Sequence, residues 1–225
     1  MVYLNYGPYL DPQIGPNWWE YFFEPILLGD YTETPVEVLD YAKSINWAWA
    51  VVRDSVDRQR DYDLIQRYIR IKPHIQAKIN NFTKQNFENN FIIGVHYRGT
   101  DKFIAEAPFI PFAHMITAIQ KAIDAITPTY GSNYKIFVAT DEDCFLKYIQ
   151  SIFSCPIIYT NCPRSKDGTS LHEGLHYCRN YQKGEDAVID CLLLSKSNFL
   201  IRTSSNLSFI SERFNISLLG FLIQQ

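Results

Sequence analysis

Phe91-Ile92-Ile93-Gly94-Val95-His96-Tyr97-Arg98-Gly99-Thr100-Asp101-Lys102 passes without a break from an apolar run into a hydrogen-bonding one. Phe91 to Val95 is too short for a helix of ordinary length. Its continuous apolarity fits a strand covered on both faces. The polar residues that follow then sit at the strand's carboxyl end.

The same sequence pattern recurs downstream. Pro111 to Ile126 carries Phe112, Ile116, Ile119, Ile123 and Ile126 on one helical face. Lys135 to Ala139 reads as a strand, Asp141 to Phe153 as a helix and Pro156 to Tyr159 as a strand. Residues 161–182 read as a long loop rich in Gly, Ser, Asn and basic residues. Gly184 to Ser195 is expected as a helix, Phe199 to Arg202 as a strand, Ser205 to Phe214 as a helix and Ile216 to Ile223 as a last strand. Short apolar strands alternating with amphipathic helices imply an α/β fold with a Rossmann-like parallel sheet. Upstream, the pattern is mostly helical. Pro16 is suited to a first helical turn ahead of Trp18, Trp19, Phe22 and Phe23. Residues 35–44 read as a second helix and Asn46 to Val52 as a short strand. Asp57 to Phe87 is a long helical stretch broken or kinked at Pro73. The expected division is therefore a mostly helical N-terminal region over 1–90 and a Rossmann-like domain over 91–225.

In open parallel sheets, ligands bind beyond the carboxyl ends of the strands. The residues to weigh are His96 to Lys102, Thr140-Asp141 and Thr203-Ser204-Ser205. Arg98 offers a planar fork that matches two phosphate oxygens. Gly99 allows close backbone approach, and Asp101 can hold Arg98 or Lys102. Thr203-Ser204-Ser205-Asn206 stands where a helix begins, and N–H groups and the helix dipole favour an anion there. Asp190 interrupts the apolar run Val188 to Leu194, which is costly unless the acid is paired. A carboxylate can accept the two adjacent N–H donors of guanine. Each feature alone has a plainer reading: a surface turn with an Arg–Asp pair, an ordinary N-cap, and a solvent-facing acid one turn from Asp186.

Taken together, these segments resemble a known family. Ile93-Gly94-Val95-His96-Tyr97-Arg98-Gly99-Thr100-Asp101-Lys102 resembles the His-x-Arg-x-Thr-Asp-Lys motif of α1,6-fucosyltransferases, within the protein O-fucosyltransferase superfamily. Phe137-Val138-Ala139-Thr140-Asp141-Glu142-Asp143 is similar to that family's second motif. Asp190 to Ser195, followed by Thr203-Ser204-Ser205, is similar to its third. The resemblance spans about 91–214. It implies the nucleotide half of a GT-B-type glycosyltransferase that moves fucose from GDP-fucose to an acceptor hydroxyl, inverting and metal-independent, with no cofactor. By the resemblance, Arg98 holds the β-phosphate and Glu106 is the base. His96 and Asp190 contact guanine, His96 through its backbone. Asp141 orders the pocket, Ser204 and Ser205 bind phosphates, and Gly99, Asp101, Lys102 and Thr203 complete the donor site. Where the α1,6 enzymes carry a second Arg, this chain has Gly99, with Lys102 nearby as a partial replacement.

The bulk properties are those of a soluble globular chain. A net charge of -3 does not advertise a nucleic-acid partner. No stretch approaches a membrane span, and Met1 to Leu10 lacks the pattern of a signal peptide. Five cysteines, an odd count, favour free thiols and a cytoplasmic setting, with a Cys162–Cys178 disulfide as the alternative. Two rival functions stand beside the transferase. One is a non-catalytic GDP-sugar-binding module. The other is a zinc hydrolase through His172-Glu173-Gly174-Leu175-His176, whose internal Gly and missing third ligand argue against it. The acceptor, whether glycan, peptide or lipid-linked sugar, and the oligomeric state are not encoded in any recognisable pattern.

Overall fold

The computed structural model describes residue 5 and residues 7–26, 57–100, 109–171 and 176–223. The helix expected at 35–44 and the strand expected from Asn46 to Val52 lie outside the described residues. So do Asp101, Lys102, Glu106, His172 and Glu173.

The elements in chain order are α1 (Trp19–Phe22), α2 (Arg58–Tyr68), α3 (Pro73–Asn86), β1 (Phe91–Tyr97), α4 (Phe112–Tyr130), β2 (Tyr134–Thr140), α5 (Asp143–Ile152), β3 (Ile157–Ile158), α6 (Asn180–Ser195), β4 (Phe199–Arg202), α7 (Asn206–Phe214) and β5 (Leu219–Leu222). The five strands form one parallel sheet in the order β3-β2-β1-β4-β5. Successive strands step outward from β1 to β3, and the chain then returns to the other side of β1. The order therefore reverses between β1 and β4, the crevice where open α/β sheets place ligands.

Alternate strand residues feed two cores, as the two-residue period of a strand requires. Ile93, Val95, Tyr97, Ile136, Val138 and Ile201 pack with Met115, Ile119 and Ile123 of α4 and Phe145 and Ile149 of α5. Ile92, Phe137, Ala139 and Leu200 face Phe22, Ile75 and Ile79 together with Leu192, Leu193 and Leu194 of α6. Each fully buried Leu, Ile or Phe side chain contributes about 1.5–3 kcal/mol relative to exposure, so covering both faces is what makes the sheet stable. The boundary expected at residue 90 falls at the start of β1. Even so, α1 and α3 share their core with the sheet instead of forming a separate body.

Local chemistry fixes the upstream elements. Asp57 caps α2, accepting from the N–H groups of Gln59 at 2.9 Å and Arg60 at 3.3 Å. Pro73 occupies the first turn of α3. A proline there lacks only an N–H that would be unpaired anyway, and it drives the preceding residue into extended backbone. The result is two helices with a break between them, not one kinked helix. In the break, Ile71 forms an antiparallel bridge with Phe23. The helix expected around Trp18 is a single turn, with Phe22 fully buried and Trp18 and Trp19 half-buried.

Two further differences bear on the site. β1 runs on through His96 and Tyr97, which sequence pattern put beyond the strand. α6 begins at Asn180, four residues ahead of Gly184. Gly184 lies inside the helix, and a Cβ there would come within 2.7 Å of the Phe22 ring, so close packing and not a helix start accounts for the glycine. The long loop is correspondingly shorter.

Candidate donor site at the strand-order reversal

Arg98, Gly99 and Thr100 form the turn beyond β1, and Asp141 stands at the end of the adjacent β2. Asp141 is buried and draws that turn together. Arg98 Nη1 donates to its Oδ2 at 2.5 Å, Gly99 N to Oδ1 at 3.0 Å and Thr100 Oγ1 to Oδ2 at 2.6 Å. Glu142 adds a bond from Thr100 N at 2.8 Å. These bonds hold Thr100 in left-handed backbone at φ 37°, a conformation that is unfavourable for a side-chain-bearing residue. From the other side of the reversal, Thr203 Oγ1 accepts the N–H of Arg98 at 2.9 Å. The charge-assisted Arg98–Asp141 pair fixes direction as well as position, and with Thr203 on the backbone Arg98 is set by three segments of chain.

Beyond this turn lies a cavity of about 330 Å³, within the range of small-molecule sites (~300–1,000 Å³). Its walls include His96, Arg98, Asp141 and Asp190 from the sequence expectations, and Ser205 from the start of α7. Ser205 holds the N-cap position of α7 but makes no side-chain capping bond. The plain capping role therefore does not account for it. Thr203 is spent on Arg98 and does not line the cavity, and Ser204 and Gly99 are likewise absent from its wall. The carbonyl of His96 accepts the N–H of Thr203 at 3.0 Å, so a backbone contact from His96 to a ligand competes with that bond. At Gly99, a Cβ would overlap the Glu142 carboxylate. The position is closed to any side chain while Glu142 bonds Thr100.

Asp190, from the middle of α6, faces into the cavity. It accepts from Thr160 Oγ1 at 2.7 Å. Burial pushes its carboxyl up to about 7, against the pull of the Thr160 bond and the Arg164 charge. The solvent-facing reading of Asp190 is therefore wrong, because the side chain is held in the interior. One turn earlier, Asp186 lines the same cavity and is also raised by burial. Cys162 is pushed up to about 12 by burial and by Asp190, which keeps it a neutral thiol. All five cysteines carry free thiols, Cys162 and Cys178 included.

Several wall residues were not legible beforehand. Tyr9 enters from the far N-terminal segment, which is tied to α6 by an Arg179–Asp11 pair at 3.0 Å and an Asn180–Leu10 bond at 2.9 Å. Lys183 and Ala187 come from the turns of α6 before Asp190, and Leu171 and Tyr177 from the loop. A signal existed for Lys183, since positions 183, 187 and 190 share a helical face once α6 is carried past Gly184. Among the described residues, no group of three or more His, Cys, Asp or Glu side chains is arranged to hold a metal ion. No described helix is long and apolar enough to cross a membrane.

Comparison with known proteins bears on the fold and the family. The fold is similar to that of fucosyltransferase NodZ from Bradyrhizobium, at 19% identity over 96% of this chain and 81% of that one, with a TM-score of 0.57. It is also similar to a crystal structure of NodZ alpha-1,6-fucosyltransferase soaked with GDP-fucose, at 20% identity over 89% of this chain and 78% of that one, with a TM-score of 0.52. At that identity the likeness speaks to fold. The family model of alpha-(1,6)-fucosyltransferase N- and catalytic domains matches residues 63–208, more than half of the chain and the part that builds the sheet's reversal and most of the cavity wall. The chain therefore belongs to the alpha-(1,6)-fucosyltransferase family.

Proposed function

We propose that this chain transfers fucose from GDP-fucose to an acceptor hydroxyl, with the cavity between the ends of β1 and β4 as the donor site. The observation that carries the reading is the fixed Arg98 at one part of a cavity that Asp190 also enters. Guanine presents two neighbouring N–H donors to a carboxylate, and a guanidinium matches phosphate oxygens. The NodZ structure soaked with GDP-fucose shares this fold and supports the choice of donor.

In the proposed reaction, the bond from fucose C1 to the β-phosphate oxygen breaks as the acceptor oxygen bonds C1. The acceptor's proton passes to a carboxylate, and Glu106 is our candidate by resemblance. Negative charge grows on the departing diphosphate, so a cation aimed there stabilises the transition state more than the bound donor. Asp141 acts through Arg98 and is a positioning residue. Inversion at C1 without a metal ion is part of the proposal.

The test is donor binding followed by turnover. GDP should raise the melting temperature and UDP should not. GDP-fucose should then release GDP faster with wild type than with Arg98→Lys. Equal shifts with GDP and UDP would remove the guanine assignment. GDP binding with no turnover of GDP-fucose toward any glycan, peptide or lipid-linked acceptor would make the chain a binding module.

A further inference from the structure

The carboxylate that faces the cavity from α6 is held from a different element. Thr160 stands two residues past β3, and its Oγ1 donates to Asp190 Oδ1 at 2.7 Å. Cys162 Sγ lies 3.4 Å from the same hydroxyl and 4.0 Å from Asp190 Oδ2. The hydroxyl has one proton, and the shorter contact, to a carboxylate oxygen, takes it. Thr160 does not line the cavity, so it acts on a ligand only through Asp190.

The turn that presents Thr160 is fixed without that hydroxyl. Arg164 Nη2 donates to the Thr160 carbonyl at 2.9 Å and Nη1 to the Cys162 carbonyl at 3.1 Å, and its guanidinium lies over the Tyr159 ring. One residue on, Ser165 N donates to the Asp141 carbonyl at 2.8 Å, and the Ser165 carbonyl accepts the N–H of Asp143 at 2.9 Å. The backbone of this turn is therefore tied to the end of β2, where Asp141 also holds Arg98. What the Thr160 hydroxyl adds is the orientation of the Asp190 carboxylate. The terminal torsion of an aspartate is soft, whereas two parallel N–H donors need both oxygens in their own plane. One bond to Oδ1 fixes that plane and leaves the remaining acceptor sites of both oxygens for a ligand.

We propose that Thr160 is a positioning residue for base recognition, setting the Asp190 carboxylate to accept both N–H donors of guanine and so making the site prefer guanine over a purine with one such donor. This rests on the donor-site reading above. The Arg164 charge and the Thr160 bond also favour the ionised carboxylate, the form that only accepts. Base and phosphate recognition then share one brace, since residues 160–165 reach Asp190 at one end and Asp141 at the other.

The experiment is titration calorimetry of GDP and of inosine diphosphate, which lacks guanine's amino group, on wild type, Thr160→Val, Thr160→Ala and Thr160→Ser, with circular dichroism as a check of folding. Wild type should bind GDP about 10- to 100-fold more tightly than inosine diphosphate, the value of one hydrogen bond to a charged group. Thr160→Val and Thr160→Ala should lose about tenfold or more for GDP and less than about threefold for inosine diphosphate, so that the preference collapses. Thr160→Ser keeps the hydroxyl and should stay within about threefold of wild type for both. A folded valine or alanine variant that keeps the wild-type preference overturns the proposal. So does an equal loss of both ligands, which would make Thr160 structural, or a serine variant that behaves like valine. Failure of both hydroxyl-free variants to fold overturns it too, because the contact would then belong to the fold. Wild type that binds the two ligands alike, or neither, refutes the guanine assignment of Asp190 itself, an outcome distinct from the others.

Discussion

Replacing Asp141 by Asn keeps the side chain's shape and removes its charge, and the outcome tests whether one carboxylate organises the site. Asp141 accepts from Arg98 Nη1, Gly99 N and Thr100 Oγ1. An amide offers one acceptor oxygen, and its NH2 would face donors. Removing one partner of a buried ion pair costs roughly 3–5 kcal/mol. The Arg98 side chain keeps a small solvent opening at 15%, which places the expected loss near the lower end, about 3 kcal/mol. For a chain of this length, that corresponds to a fall in melting temperature of roughly 6–12 °C. Urea unfolding gives the stability directly. The functional signature is selective: guanosine affinity holds, because Asp190 takes no part in the turn, whereas fucosyl transfer falls at least about tenfold as Arg98 loses its direction. A loss below about 0.5 kcal/mol, the ordinary range for surface substitutions, together with unchanged transfer, would refute the claim that Asp141 organises this turn.

Arg98→Lys keeps the charge and loses the fork, so transfer is expected to fall on the order of 10²-fold with the fold intact, measured as GDP release at saturating donor. GDP affinity should strengthen as pH rises through about 7, because guanine's N–H donors need Asp190 ionised, and Asp190→Asn should flatten that dependence in calorimetry from pH 5.5 to 8.5. The unliganded protein should show the opposite trend. Asp190's folded-state value lies above that of an ordinary aspartate, so its contribution to stability is full at acid pH and is lost as pH rises through about 7, to be read from urea midpoints. Gly99→Ala should destabilise by about 1–3 kcal/mol by displacing Glu142 from the Thr100 N–H. Its cost should shrink sharply in a Glu142→Ala background, a non-additivity that a double-mutant cycle measures.

The α/β half was legible because its signals are local. Apolar runs at β1, β2 and β4 and the stripe on α4 declare their elements without reference to partners. Strand order is not local: nothing in residues 91–97 says that 199–202 will lie beside them. Tyr97 shows how a polar appearance misleads. Its ring stacks on Phe145 and its hydroxyl donates to the Ile110 carbonyl, so it is core with a satisfied tip. The start of α6 was hidden by Gly184, whose role depends on Phe22 more than a hundred residues away. Once that start was missed, Lys183 had no face to belong to. Arg98, Asp141 and Asp190 could be picked out by chemistry and by resemblance. The rest of the wall, Tyr9 above all, reaches the cavity through tertiary contacts that leave no local pattern.

The reversal of strand order between β1 and β4 also sets a timetable. As the chain emerges N-terminus first, β1 gains β2 within some forty residues, but its other edge stays open until β4 is made. Joining them closes a loop of 106 residues at Ile92 and Asn198. Contacts of such long range slow folding and prolong the exposure of an unpaired edge. That late join also brings Thr203 to the backbone of Arg98 and sets the start of α7 beside the cavity. The cavity is therefore completed only when the sheet is. A chain stalled before β4 holds β1 and its motif but lacks the cavity.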